Sequence, residues 1–262
     1  MAVKQKKVTS TALVPWEKQF AAAAKAAVEQ ESTIGGGGQS VKFGAGGTIT
    51  VAGAQVPGNK LECVVLGACF AYGWYDSAYD PDDPQPPACY AFGEAEKQMA
   101  PHPECSQPQS EVCADCPKNQ FGTAAVGRGK ECGNNKRLAL VTANDAQDLD
   151  VLATVELAVA RISPTNLKGW AGYVRAIAEE YGRPPWGVIT EIAGFPDQKN
   201  QYRLEFRMVE TIDDPATLKV LQKRVEKVQE FLQQPYGPPV ERSAKGKKQV
   251  GKNAKFAAGK RR

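Results

Sequence analysis

The fold is decided by PPACYAFG at residues 86–93, followed by CADCPKNQFG at 113–122, GRGKEC at 127–132 and LALV at 138–141. Five of the seven cysteines of the chain lie in this stretch. A C-x-x-C pair places two thiolates on one tight turn, within reach of a single metal ion. Two further cysteines complete the tetrahedral sulfur set that is typical of structural zinc, so the sequence predicts a zinc module here.

The pattern assigns three of the four zinc ligands directly, namely Cys113, Cys116 and Cys132. The fourth ligand is Cys89 or Cys105. We favour Cys89, because it stands beside aromatic residues at the end of an apolar segment, whereas Cys105 lies in a run of Pro, Gln and Ser. Four sulfur ligands leave no open coordination position, so we expect a structural rather than a catalytic metal.

The remaining metal-ligand candidates have simpler interpretations. His102 is the only histidine and stands in the sequence PHPE, where a solvated loop residue is expected. Cys63 and Cys69 lie in an apolar segment and are expected in the hydrophobic core. The predicted role of the metal is to supply folding energy to a Pro-rich and Gly-rich loop that buries too little apolar surface to order itself.

No stretch of the chain predicts a membrane segment. The start, MAVKQKK, lacks the apolar core of a signal peptide, and no apolar run reaches the length of a membrane span. We therefore expect a cytoplasmic protein without disulfides. This expectation favours metal binding over cystines as the role of the cysteines.

Positive charge is concentrated towards the two ends of the chain. Residues 241–262 carry nine basic side chains and one acid, and Lys4, Lys6 and Lys7 add three cations near the start. The overall formal charge is only +4, so the part between is acidic. We predict that residues 236–262 form a disordered basic tail, which is either a sequence-independent tether for polyanions or a solubilising extension.

Residues 1–45 predict a flexible N-terminal segment with one short helix. The Ala-rich run from Trp16 to Glu31 is helix-prone, and the Gly-rich run from Ser32 to Gly47 is typical of a connector. The connector lacks the G-K-[ST] ending of a phosphate-binding loop, so nucleotide binding is not expected there.

The body at residues 46–235 has the pattern of a β-rich α+β domain. Strands are predicted at 48–51, 61–75, 137–142, 151–162, 186–192 and 202–209, with helices from Ser163 to Tyr181 and from Pro215 to Gln233. This order fits an oligonucleotide-binding (OB) barrel, with five strands, a helix between strands three and four, and a C-terminal helix. The zinc-binding insertion would then lie at about residues 86–135. A short β-sandwich gives a similar order of elements.

Aromatic and basic residues near the cysteines predict contacts with nucleic acid. Alternation along the strand at 61–75 puts Phe70, Tyr72 and Trp74 on one face. Such rings either stack on unpaired bases or form an ordinary aromatic core. The candidates are Tyr72, Trp74, Tyr90 and Phe121 for stacking, and Lys118, Arg128, Lys130, Lys136 and Arg137 for phosphates.

These motifs together resemble a family of bacteriophage-encoded single-stranded DNA-binding proteins with a four-cysteine zinc module. The resemblance covers about residues 46–210, and its other elements are YDPDDP at 79–84, RLAL at 137–140, SPTNLKGWAGYV at 163–174 and PPWGVITEI at 184–192. It implies zinc binding by Cys89, Cys113, Cys116 and Cys132. It also implies binding of single-stranded DNA without sequence preference in phage replication and recombination, with replication proteins as partners and the host cytoplasm as the location. Zinc in an OB barrel also occurs in the large subunit of eukaryotic replication protein A, which is an analogy of fold alone.

Two other functions fit parts of the sequence. One is a zinc-stabilised structural or virion-associated protein whose basic tail contacts packaged nucleic acid. The other is a metal-dependent nuclease that uses carboxylates from Asp76, Asp80, Asp82 and Asp83. The sequence shows no nucleophile–base pair and no phosphate loop, so an enzyme is not expected.

Overall fold

The computed structural model describes residues 39–77, 85–125 and 127–237. The chain forms a mixed α+β, β-rich structure built on one curled, open sheet with few helices. Three sequence predictions lie outside the described residues. They concern the Ala-rich run from Trp16 to Glu31, the basic tail from residue 238 onwards, and the acidic residues Asp80, Asp82 and Asp83.

The sheet contains nine strands within the described part of the chain. They are β1 (Gln39–Phe43), β2 (Ile49–Val51), β3 (Ala54–Gln55), β4 (Lys60–Trp74), β5 (Cys89–Gly93), β6 (Gly133–Thr142), β7 (Ala158–Ile162), β8 (Val188–Asp197) and β9 (Gln201–Thr211). Eight are neighbours in the order β3-β2-β1-β7-β6-β4-β8-β9, and β5 pairs separately with β4. The prediction of a five-stranded barrel is therefore wrong in strand number, and residues 39–43 are a strand rather than part of a connector.

β4 is the central strand of the sheet. Its 15 residues pair with β6 along one edge, from residue 63 to residue 73. The other edge is divided, because residues 60–63 pair with β8 and residues 70–74 pair with β5. The register with β6 shifts between Val65 and Gly67, and an irregularity of this kind bends and twists a strand. One strand thus joins the main sheet to the cysteine-containing segment.

Three α-helices accompany the sheet within the described residues, α1 (Leu149–Thr154), α2 (Leu167–Tyr181) and α3 (Pro215–Leu232). α1 replaces the first half of the strand predicted at 151–162. It forms because the Asp148 carboxylate accepts hydrogen bonds from the backbone N–H groups of Asp150 and Val151, which caps the helix. No helix in these described ranges is long and apolar enough to cross a membrane.

Hydrophobic side chains pack on both faces of the sheet. One core includes Trp170 and Ile177 of α2, and the other includes Leu221 of α3. Cys63 lies in the first core and Cys69 in the second, as predicted. Burial raises the pKa of Cys63 to about 12 and that of Cys69 to about 11, so both are inert thiols at neutral pH.

A close backbone contact fixes the N-terminal strands against β8. Gly47 follows β1 in a short turn, has a φ of +82° and packs against Gly194 and Phe195. A φ in this left-handed region favours glycine, because other residues meet steric strain there. The contact therefore depends on two residues without a Cβ.

Replacing Gly194 by Ala is expected to destabilise the protein, because the new Cβ would overlap the carbonyl oxygen of Gly47. Overpacking of this kind costs about 1–3 kcal/mol, which thermal unfolding can measure. The matched control is Gly172→Ala in α2, where a Cβ would meet nothing within 4 Å. The control should raise stability by about 0.5–1 kcal/mol through helix propensity. Equal melting temperatures for the two variants would contradict the contact.

Candidate functional site

The candidate site lies in the segment that we call the cysteine lobe, which consists of β5 and the loop from residue 94 to residue 132. The described part of this loop has little regular structure, with short 3-10 turns at Glu96–Gln98 and Pro117–Asn119. Its hydrophobic core is small and contains Tyr72, Ala91, Met99 and Cys113. The lobe therefore depends on hydrogen bonds and on its cysteines more than on apolar burial.

Backbone pairing brings two of the predicted ligands to the end of β4. Cys89 begins β5 and is the register partner of Trp74. Cys132 immediately precedes β6, and its N–H donates to the carbonyl of Lys118 at 2.8 Å. Because β5 and β6 flank β4 on its two edges, these cysteines lie on either side of the same strand end.

The C-x-x-C turn is held by a buried asparagine. The N–H of Cys116 approaches the carbonyl of Cys113 at 3.4 Å, and the N–H of Cys113 donates to Met99 at 2.9 Å. The side-chain amide of Asn119 donates to the Cys113 carbonyl at 2.7 Å, and the backbone N–H of Asn119 donates to the Cys116 carbonyl at 3.0 Å. Asn119 was not among the predicted site residues, although its place three residues after the second cysteine of the motif could have identified it.

The cysteine side chains influence one another electrostatically. Burial raises the pKa of Cys113 to about 12, and the neighbouring thiols of Cys132, Cys89 and Cys116 add to the effect. Burial likewise raises the pKa of Cys132 to about 11, with Cys116 and Cys89 contributing. Burial also raises the pKa of Cys89. These mutual effects place the four predicted ligands in one neighbourhood.

Cys105 belongs to the same neighbourhood. Its Sγ lies 3.0 Å from the backbone N and 3.1 Å from the backbone O of Tyr90, and it hydrogen-bonds with the thiol of Cys89. The choice between Cys89 and Cys105 as fourth ligand therefore stays open. Among the residues that the structure describes, no group of three or more His, Cys, Asp or Glu side chains is arranged to hold a metal ion. Zinc binding stays a prediction.

Two of these thiols also accept backbone hydrogen bonds, Cys132 from Gly73 and Cys89 from Gln109. These bonds oppose the larger effect of burial without cancelling it, so the pKa of both thiols stays raised.

Two of the four predicted stacking residues are buried, so their assignment is corrected. Tyr72 is 2% exposed, and its hydroxyl donates to the carboxylate of Glu96. Tyr90 is 4% exposed, stacks on His102 and meets Tyr236 edge-on. His102 is thus packed against a ring rather than simply solvated. The alternation along β4 holds, but the cysteine lobe covers the face on which Tyr72 lies.

Two of the predicted phosphate-binding cations, Lys136 and Arg137, stand in β6 outside the cysteine lobe, where they contact other parts of the protein. The Lys136 Nζ lies 4.2 Å from the ring centroid of Phe70, and burial lowers the pKa of Lys136. Arg137 donates to the carbonyls of Leu232 at 3.0 Å and Gln234 at 3.2 Å. Arg137 therefore links β6 to the end of α3, which corrects its assignment as a phosphate contact.

The other five predicted residues lie in one region, which we call the lobe patch: Trp74, Lys118, Phe121, Arg128 and Lys130. The Phe121 ring is 81% exposed, and the Lys130 Nζ lies 4.9 Å from its centroid. The N–H of Gly122 donates to the carbonyls of Arg128 and Gly129, at 3.2 and 2.9 Å. These bonds hold the basic segment beside the exposed ring.

Trp74 lies under Lys118 at the edge of the lobe patch. The Lys118 Nζ is 5.2 Å from the Trp74 ring centroid. The Glu131 carboxylate accepts from the Trp74 Nε1 at 2.9 Å and from the Lys118 Nζ at 2.8 Å. Residues 117–131 carry three cations and one carboxylate, so this segment is positive, whereas the whole loop from residue 94 to residue 132 carries four basic and six acidic side chains.

Comparison with protein-family models, with curated protein sequences and with solved structures found no match for this chain. The functional interpretation therefore rests on the geometry of the lobe patch. Asp76, the one described member of the predicted acidic group, accepts a hydrogen bond from the Gln107 side chain at 3.1 Å.

The Trp74 indole N–H is expected to report the ionisation of Glu131. Hydrogen bonds from Lys118 and Trp74 lower the pKa of Glu131, so these contacts persist as the pH falls until it passes that lowered value. In NMR spectra the Trp74 indole signal should therefore shift with a midpoint below the ordinary glutamate pKa. The shift should vanish in Glu131→Gln, and the buried Trp170 indole should not show it. A midpoint at or above the ordinary value would contradict the contact.

Proposed function

We propose that this protein binds single-stranded nucleic acid through the lobe patch, without sequence preference, as a DNA-binding protein of phage replication and recombination. The observation that carries the proposal is Phe121, whose ring is 81% exposed and has a lysine ammonium 4.9 Å from its centroid. Exposed rings interleaved with cations are the arrangement that stacks unpaired bases and contacts the phosphates between them.

The strand order supports an OB-type barrel as the framework. Numbered along the chain, the strands β4, β6, β7, β8 and β9 give the spatial order 3-2-1-4-5, with every pair antiparallel. α2 lies between the third and fourth of them. In OB folds the loops between strands one and two and between strands four and five contact oligonucleotides. The cysteine lobe is the loop between strands one and two in this numbering, and β1, β2 and β3 extend the open sheet beyond strand three.

The lobe patch offers both parts of a sequence-independent interaction. A base stacked on Phe121 gains about 1–3 kcal/mol whatever its identity, since every base has an aromatic face. Lys118, Arg128 and Lys130 would contact phosphates, and such contacts make affinity fall as salt concentration rises. The acidic body of the chain is compatible with this function, because local potential rather than net charge decides where a polyanion binds.

We propose further that structural zinc organises the lobe patch. The Cys113–Cys116 turn ends two residues before Lys118, and Cys132 directly follows Glu131, so a metal held by these cysteines would fix both ends of the patch loop. Zinc bound by four thiolates supplies folding energy and leaves no open coordination position.

Replacing Phe121 by Ala is expected to weaken binding of single-stranded DNA about five- to hundredfold, as one lost stacking contact costs about 1–3 kcal/mol. Fluorescence anisotropy with single- and double-stranded oligonucleotides at two salt concentrations measures the effect. The matched control is Tyr181→Ala, which removes a 47% exposed ring at the end of α2, away from the patch. The wild type should prefer the single strand, and its affinity should fall with salt.

The strand titration also has outcomes that reject the proposal. A wild-type protein that shows no salt-sensitive preference for the single strand does not have this function. Equal losses in Phe121→Ala and Tyr181→Ala would remove the lobe patch from the interface. Degradation of the oligonucleotide on addition of Mg²⁺ would instead favour the nuclease alternative.

The purified protein is expected to contain one zinc ion, measured by elemental mass spectrometry. Ser replacements of Cys113, Cys116 and Cys132 should each lose the metal and lower the melting temperature, because the folding energy that it supplies is lost. Comparison of Cys89→Ser with Cys105→Ser identifies the fourth ligand. Cys69→Ala serves as the control, since it changes a buried cysteine outside the lobe and should retain zinc. Zinc retained in all of the lobe variants would contradict the proposed site.

A further inference from the structure

A cavity lies at the end of β4, on the face opposite to Tyr72. It has a volume of about 270 Å³, with walls from Pro86, Pro87 and Tyr236 and polar groups from Glu104 and Ser106. Tyr90, the register partner of Gly73, also lines it. Rings and prolines with a few polar groups are typical of a pocket that takes a planar ligand.

The aromatic wall of this cavity is fixed before any ligand binds. The Arg137 guanidinium contacts two neighbouring rings, 4.0 Å from the centroid of Phe92 and 4.7 Å from that of Tyr236. The Tyr236 ring meets Tyr90 edge-on, with centroids 4.9 Å apart. Arg137 also holds the chain before Tyr236 through the carbonyl of Gln234 at 3.2 Å. A preorganised wall reduces the entropy lost on binding.

A cation and an exposed ring stand at the margin of the cavity. A Cβ placed on Gly73 would lie 3.4 Å from Pro87 and 3.9 Å from the Arg161 guanidinium, so both flank the same glycine. Arg161 is exposed and donates to the hydroxyl of Tyr75, whose side chain is 42% exposed. Positive charge therefore stands beside an aromatic pocket, which is complementary to a nucleotide.

We infer that this cavity is a second nucleobase subsite, an inference that rests on the proposed function. Trp74 belongs to the lobe patch, and the next residue, Tyr75, contacts Arg161 at the cavity. A single strand that leaves the lobe patch over the end of β4 therefore reaches the cavity directly. One phosphate then pairs with Arg161, and one base lies against Tyr236 and the prolines.

Glu104 gives the second subsite a base preference that the lobe patch lacks. Its carboxylate accepts hydrogen bonds, and cytosine and adenine each carry an exocyclic amino group that donates them. Thymine presents a carbonyl oxygen in the corresponding position, which a carboxylate repels. The subsite therefore favours cytosine and adenine over thymine.

The test uses the full-length protein and labelled oligo-dC and oligo-dT of matched lengths, from about 4 to about 16 nucleotides. In the wild type, long oligo-dC should bind more tightly than long oligo-dT. Arg161→Gln and Tyr236→Ala should each weaken binding of the longer oligonucleotides about tenfold and affect the shortest ones little, because the lobe patch is intact. Thermal unfolding confirms that the variants fold, and Arg161→Gln leaves the packed rings in place.

Glu104→Gln tests the base preference directly. An amide can donate to the thymine carbonyl, so the ratio of oligo-dC to oligo-dT affinity should fall towards or below one. Glu111→Gln, which removes another exposed carboxylate of the lobe, should leave the ratio unchanged and controls for charge alone.

The results of these experiments test the second nucleobase subsite separately from the proposed binding of single strands. Unchanged affinity, length dependence and base ratio in the cavity variants, together with weaker binding by Phe121→Ala, would overturn the second subsite and leave the proposed function intact. They would then assign the cavity to another occupant, such as a peptide. A wild-type protein that binds no single strand would overturn both.

Discussion

The backbone pairing of β4 is the interaction on which the rest of the structure depends. Cys63 and Ala71 are almost fully buried in this strand, so their polar backbone groups need partners inside the protein. β6 supplies them along one edge, and β8 and β5 supply them in turn along the other. Cys89 is the first residue of β5, and Cys132 directly precedes β6. The pairing of these strands with β4 therefore also positions the cysteine lobe.

The functional candidates lie on the two faces of the same strand end. On one face the cysteine lobe covers Tyr72 and leaves Trp74 at its edge. On the other face Arg137 holds the rings of Phe92 and Tyr236 together. Gly73 lies between them and lets Pro87 and Arg161 approach the strand closely. The lobe patch and the cavity proposed to bind nucleic acid are therefore held by one strand end.

The sequence predicted the elements that have a strong local pattern. The apolar run at 61–75 is β4, and the alternation of Tyr202, Leu204, Phe206 and Met208 is β9. The sequence did not predict α1, because its apolar residues are also compatible with a strand. The feature that favours a helix there is the N-terminal cap formed by Asp148. β1 was missed because the glycine runs on either side of it suggest a connector, whereas its stability comes from pairing with β7 and β2.

The candidate site was predictable to the extent that it lies in one stretch of sequence. Phe121, Arg128 and Lys130 share a short loop, so their proximity follows from the chain. Tyr72 could not be assigned to the interior from its own strand, because the residues that cover it come from the lobe. Arg161 and Tyr236 are distant in sequence from the cysteines. The pairing of β6 with β7 brings Arg161 close to β4, and the chain after α3 brings Tyr236 there.

The small core of the cysteine lobe links its stability to its recognition of nucleic acid. Ordering a residue costs about 1–2 kcal/mol of backbone entropy, and the lobe buries only a few apolar side chains in return. Hydrogen bonds from Asn119 and Thr123 hold the loop locally, but they connect residues that are close in the chain. One metal would join distant parts of the lobe at three points, which are the strand end at Cys89, the strand end at Cys132 and the C-x-x-C turn. The Phe121 ring keeps its position beside Lys130 only while that loop is ordered, so the proposed metal would also stabilise the proposed nucleic-acid surface.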